Sequence, residues 1–207
     1  WPEAAIPARL DEIDPDYLAH LKQRNADFLI GVVERNETTR QYYNSVVSLG
    51  RGSGLYRKQH LVPFGEFLPF PGLFRWLLDS LRIPMSDFSS GPADQPPLTA
   101  AGQKIGVSVC YEDAFGEEII RALPQATLLV NVSEDAWFGD SLAPHQRIQM
   151  ARLRALEAGR PMLRAANTGP SVVIRHDGEV IARSPQFEQY VLRATVEPRQ
   201  GATPYSR

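Results

Sequence analysis

One cysteine, three lysines and four histidines are all that 207 residues contain of these types, and each scarcity removes a class of reading. A lone cysteine forms no intrachain disulfide, so the usual marker of an oxidising compartment is silent. No run approaches the roughly 18 consecutive apolar residues that span a bilayer, and no signal-peptide pattern occurs. Basic residues never gather beyond a few positions and the formal net charge is −2, which leaves no electrostatic footprint for nucleic acid as a partner. Repeats and low-complexity linkers are missing too. What is present, 43% hydrophobic and 22% charged residues, suits one domain with a sizeable core.

The apolar runs punctuate this domain as α/β. Asp14-Pro15 reads as an N-cap and first-turn proline of a helix to about Arg24. Phe28–Val33 and Tyr42–Leu49 read as strands, and the glycine-rich turn 50–54 returns the chain as Leu55–Leu61. A proline-punctuated section, 63–97, holds a helix expected over Leu73–Leu81. Ile105, Val107 and Val109 mark a buried strand that ends at Cys110, followed by a helix at Glu117–Leu123 and a strand at Thr127–Val132. The clearest helix starts near Pro144, places Ile148, Ala151 and Ala155 on one face, and stops at Gly159 and Pro161. Strands are expected at Met162–Ala166, Ser171–Ile174, Glu179–Ala182 and Tyr190–Val196, with Asp177-Gly178 as a hairpin turn. Interleaved helices and tight hairpins together imply mixed sheets, most economically two packed face to face with helices outside.

Cys110 sits where α/β folds hold reactive groups, at the carboxyl end of a strand; the plainer reading is a small buried hydrophobe. A cysteine that attacks carbonyl carbon needs a proton acceptor and a positive charge for the oxyanion. His20 and His176 read as solvated, whereas His60 and His145 stay open as bases, as does any carboxylate. Of the lysines, Lys22 lies on a helix surface and Lys104 opens a strand. Lys58 lies where a strand passes into an apolar loop.

Trp1-Pro2-Glu3, then Arg57-Lys58-Gln59-His60-Leu61, then Val109-Cys110-Tyr111-Glu112 resemble, in order, the Glu, Lys and Cys motifs of the nitrilase (carbon-nitrogen hydrolase) superfamily. Residues 60–67 (HLVPFGEF), 135–139 (DAWFG) and 149–157 (QMARLRALE) look specifically like its apolipoprotein N-acyltransferase branch. The resemblance spans almost the whole chain. It implies a nitrilase-like α-β-β-α sandwich of two mixed sheets with outer helices, as one catalytic domain over residues 1–207, and no metal or cofactor.

The resemblance also implies roles. Glu3 would be the general base, Lys58 the oxyanion partner and Cys110 the nucleophile that becomes a thioester. Glu66 and Glu112 match acids beside that triad, where a carboxylate could hold the lysine ammonium; taken alone, each could be a plain solvated acid. Tyr111 matches as well. Trp137 and Phe138 would line the acyl region, or be core. Glu134 stands where the family pattern has Asn, which puts the local hydrogen bonding in question. The donor would be a phospholipid, the acceptor a diacylglyceryl-modified lipoprotein, and the setting the periplasmic face of a bacterial inner membrane. Water must be excluded between the two half-reactions. The aromatic-rich stretch with Phe64, Phe70, Phe74 and Trp76 is the expected membrane-dipping lid, against the alternative of an ordinary packed loop. Because the chain opens without Met and Glu3 needs a rigid mount, a further strand before Trp1 and membrane helices upstream are expected. Two other readings are weighed against it: a soluble amidase using the same three residues on a small amide, and a binding module, which would keep the fold and lose a triad member, whereas all three are present here.

Overall fold

The computed structural model describes residues 1–5, 12–69 and 88–206; the expected helix at Leu73–Leu81 lies outside them. Helix α1, Pro15–Gln23, is capped by the Asp14 carboxylate, which accepts the Asp16 N–H. Three strands, β1 Phe28–Arg35, β2 Tyr42–Leu49 and β3 Leu55–Arg57, form an antiparallel sheet in that order. A six-stranded mixed sheet follows: β4 Leu98–Ala100, β5 Gln103–Val109, β6 Leu128–Ser133, β7 Met162–Ala166, β8 Val172–Ile174 and β9 Val180–Arg183. Its centre, β5-β6-β7, is parallel, and both flanks are antiparallel. Two further helices are α2, Gly116–Ile119, and α3, Ala143–Ala158.

The period of two in the strands sorts side chains into three apolar layers. Val46 and Tyr56 of the small sheet meet Leu98, Ile105, Val109, Leu128, Val130 and Val132 of the large one. Leu129, one step out of phase on β6, instead faces α3 with Met162, Val172 and Ile174, against Ile148, Ala151 and Ala155. Ile13 and Leu21 pack on Ile30, Val32 and Val47 across the outside of the small sheet. The order helix, sheet, sheet, helix is thus the one that buries both faces of both sheets.

Three local expectations differ from the structure, and one strand was not expected. Tyr190–Val196 reads as a strand but forms none and pairs with no described strand; a pattern of faces is not a strand until its backbone bonds to a ladder. The strand after the 50–54 turn ends at Arg57, where the chain bends away as Gln59 and His60 donate to Glu112 instead of to a ladder. The Glu117–Leu123 helix is one α-turn continued by a 3₁₀ turn over Ile120–Ala122. Strand β4 went unread because Pro96 and Pro97 mask three residues that pair with β5.

Asp27 joins the edges of both sheets. One carboxylate oxygen accepts the N–H groups of Arg51 (2.6 Å) and Gly52 (3.0 Å), and the other accepts that of Ala101 (2.6 Å) in the β4–β5 turn. The bond from Ala101, then that from Gly52, hold its carboxyl below the ordinary value, so its stabilisation is present above the unfolded pKa and is lost as pH falls through the folded one. Asp27→Ala is expected to cost about 1–2 kcal/mol near neutral pH, the low side of three charge-assisted bonds in a part-exposed setting. Denaturant melts near neutrality and near pH 3 check it: the gap between wild type and variant should narrow as the pH falls.

Candidate active site

Three distant segments deliver the site. Glu3 rides on a stretch laid along β1, where the Trp1 nitrogen donates to the Leu29 carbonyl (2.8 Å) and the Ala5 N–H to that of Gly31 (3.1 Å). This approach requires glycine at 31, because a Cβ there would overlap the Pro2 carbonyl and sit 2.7 Å from Glu3 Cα. Lys58 directly follows β3, and its N–H donates to the Asn44 carbonyl at 2.8 Å. Cys110 directly follows β5 at φ 53°, a left-handed conformation that costs a non-glycine residue on the order of 1 kcal/mol or more and is held by its surroundings. Part of that hold is the Asn131 amide, which donates to the Cys110 carbonyl at 3.0 Å.

The Lys58 ammonium is 1% exposed. It lies 2.9 and 2.7 Å from the two oxygens of Glu66 and 3.8 Å from Glu3 Oε1. Burial alone would pull its pKa down; Glu3, Cys110 and Glu66 outweigh burial, and the net direction is up. Asn44 spans the two acids, donating to Glu3 Oε1 (2.5 Å) and Glu66 Oε1 (3.0 Å). Glu3 Oε2 accepts the Glu134 backbone N–H at 2.8 Å. That bond uses the main chain, so it does not depend on which side chain stands at 134; the Glu134 carboxylate accepts from the Ala136 N–H and the Asn167 amide.

Of the two expected supporting acids, only Glu66 touches the ammonium. Glu112, 1% exposed, clamps backbone: it accepts the N–H groups of Gln59 (2.6 Å), His60 (3.1 Å) and Val109 (2.6 Å) and the Tyr56 hydroxyl (3.0 Å). It thereby locks the residues after Lys58 to the residue before Cys110.

Neither open histidine joins the thiol. His60 stacks on Phe115 with ring centroids 3.7 Å apart and meets Glu118 at 3.1 Å, while His145 meets Arg183. The hydrogen-bond partner of Cys110 Sγ is Arg147, at 3.2 Å. This arginine, with Arg164, Asp113 and Asp135, forms a buried charge cluster that the sequence reading overlooked. The signal was available in the burial stripe 144, 147, 151 of α3 and the alternation 162, 164, 166 of β7, each of which places an arginine at a core position.

Glu3, Lys58, Glu66, Cys110 and Tyr111 line one cavity of about 460 Å³ whose wall also includes Phe64, Glu134, Trp137 and Phe138. Trp137 is 87% exposed, so it is not core. Phe70, Phe74 and Trp76 lie outside the described residues. Cys110 itself is raised above the ordinary thiol value, first by burial and next by Glu3, against the opposing pull of Arg147 and Lys58. A thiol so placed ionises only when a base takes its proton, and the carboxylates of Glu3, Glu66 and Glu134 line the same cavity.

Burial raises the Glu112 carboxyl from 4.5 to about 7 despite its N–H donors. Between those values the folded chain keeps a proton that the unfolded chain has released. Its contribution to stability therefore falls as pH rises from about 4.5 to about 7 and is flat above. Glu112→Gln is expected to remove that slope, and to cost about 1–3 kcal/mol at pH 8 by turning an amide NH₂ towards groups that donate. Urea melts across this range, followed by circular dichroism, measure both.

The carbon-nitrogen hydrolase family model matches residues 2–205. Among curated relatives, an apolipoprotein N-acyltransferase of Nitrosomonas europaea is 49% identical over 211 residues, covering 100% of this chain and 42% of that protein. One of Methylococcus capsulatus is 48% identical over 210 residues, covering 100% and 42%. The chain thus spans about two fifths of the length of these relatives. A solved carbon-nitrogen hydrolase from Helicobacter pylori G27 superposes with a TM-score of 0.66 at 19% identity, covering 87% of this chain and 64% of that one, a likeness of fold. With the sandwich and nearly the full length of the chain matched, the protein belongs to the carbon-nitrogen hydrolase family.

Proposed function

We propose that residues 1–207 are the catalytic domain of an apolipoprotein N-acyltransferase that carries an acyl chain on Cys110. The observation that carries this reading is one cavity lined both by thiol, carboxylate and buried ammonium and by the solvent-facing rings of Phe64, Trp137 and Phe138. The names of the two relatives above support it. A small-amide hydrolase has no evident use for aromatic rings at its mouth, whereas an acyl chain arriving from a bilayer does.

Glu3 takes the thiol proton, and the sulfur attacks the ester carbonyl of a phospholipid. The oxyanion forms beside the Lys58 ammonium, which Glu66 and Asn44 already hold in place, so little reorganisation accompanies the charge. The C–O bond breaks, the alkoxide recovers the proton from Glu3, and lysophospholipid leaves the thioester behind. In the second half the α-amine of a diacylglyceryl-cysteine attacks the thioester. Glu3 accepts its proton, the C–S bond breaks, and the proton returns to the thiolate with the new amide released. This reading sets the domain at the periplasmic face of a bacterial inner membrane. Among the described residues, no helix is long and apolar enough to cross a membrane.

Intact-mass measurement after incubation with phospholipid vesicles should show one added acyl group. Cys110→Ala should show none, while Glu3→Gln and Lys58→Ala should slow its appearance by about 10²-fold or more without loss of fold. Acyl transfer by Cys110→Ala would sink the proposal; ammonia release from small amides with no acyl adduct would favour the amidase.

The exposed rim gives a second outcome. Trp137→Ser with Phe138→Ser should leave melting within about 0.5 kcal/mol, as expected for exposed side chains, yet depress acyl uptake from vesicles. Uptake from vesicles at the wild-type rate would remove the rim from the lipid path.

A further inference from the structure

Behind the cavity lies a set of charges that the two-step scheme above does not use. From the first turns of α3, Arg147 reaches under the end of β5, where it is 6% exposed. Its NH1 donates to Cys110 Sγ (3.2 Å) and Ser133 Oγ (3.0 Å) and lies 3.5 Å from Asp135 Oδ1, while NH2 donates to Asp113 Oδ1 (3.0 Å). Arg164 NH2 sits 2.9 Å from both oxygens of Asp135, and its Nε lies 4.0 Å from Asp113 Oδ2. Two acids and two arginines balance. Nothing in that balance requires the guanidinium to touch sulfur, and Ser133 with the two carboxylates could occupy its donors. Arg147 nevertheless aims one of them at the atom that must become an anion.

We infer that Arg147 is a catalytic residue: its buried guanidinium bears part of the thiolate charge of Cys110 whenever the sulfur becomes an anion. The inference rests on the acyl-transfer reading for its purpose, though not for its measurement. Arg147 approaches from the interior and does not line the cavity, so it stays in contact while substrates come and go. Lys58 does line it, and is called to the oxyanion instead. The sulfur is an anion twice in each cycle, when it attacks the ester and when the amine expels it. A cation at Sγ favours the first by populating thiolate and the second by making sulfur a better leaving group.

The charged groups around Cys110 come from every packed element: Glu3 from the first segment, Lys58 and Glu66 after β3, and Glu112 and Asp113 from the 3₁₀ turn Cys110–Ala114. Glu134 and Asp135 follow β6, Arg147 comes from α3 and Arg164 from β7. Burial and Glu3 oppose ionisation, whereas Arg147 and Lys58 promote it. Removal of Arg147 therefore moves the thiol further up.

Cys110 is the only cysteine of the chain, so the pH profile of iodoacetamide alkylation reports it alone. Arg147→Gln is expected to raise the midpoint by about one unit or more. At fixed pH 8 alkylation should then fall about threefold per unit, since a tenfold loss of thiolate is partly offset by its greater nucleophilicity. Arg147→Lys should recover at least half of the shift. If Arg147→Gln does not fold because Asp113 is left unpaired, Asp113→Asn with Arg147→Gln removes one charge of each sign and should show the same rise. Asp113→Asn alone should not show it. An unchanged midpoint in the folded double variant, or a lysine variant no better than glutamine, would reduce Arg147 to a structural tie and overturn the inference. Absence of any acyl adduct on wild type would instead defeat the acyl-transfer reading and leave the titration result standing.

Discussion

A lysine ammonium with almost no access to water is the constraint on which the site turns. An ion of this size loses several kcal/mol of hydration on burial, and only close opposite charge with well-made hydrogen bonds returns it. Glu66 supplies the direct contacts, Glu3 the longer one, and Asn44 donates to both carboxylates so that neither drifts from the cation. The arrangement commits two acids, an amide and a lysine to one geometry before any substrate arrives. That is the condition under which a fixed charge stabilises an oxyanion without first reorganising.

The frame around this constraint consists of further buried charge tied to backbone. Glu112 gathers N–H groups from both sides of the site and Asp27 does the same at the sheet edges. Cys110 takes a positive φ at the mouth of a parallel strand, and Gly31 leaves the gap into which the Glu3 segment settles. Each device joins segments that are tens of residues apart. The precision of the site therefore belongs to the packed sandwich rather than to any one loop.

Much of this organisation lies open in the chain. Tyr42–Leu49 is a strand because it is rich in β-branched and aromatic residues, and α3 ends at Gly159 because this residue takes the left-handed conformation that glycine adopts freely. Strand β5 ends at Cys110 for a similar local reason: the apolar alternation stops there and acids follow. The resemblance of the three short motifs led to Glu3, Lys58 and Cys110, and the same motifs brought in Glu66, Tyr111 and Glu112.

Local pattern and motif order, then, determined the element types, the sandwich and the identity of the residues on the cavity wall, because periodicity and residue chemistry are properties of neighbours in sequence. Tertiary structure alone decided that Glu112 grips backbone instead of the lysine, that His60 turns to Phe115, that Tyr190–Val196 stays without a ladder, and that Arg147 meets the sulfur. These depend on which segments face one another across the fold. A carboxylate or a guanidinium reads the same in a sequence whether it ends in water or against a buried partner, and only the packed chain settles which.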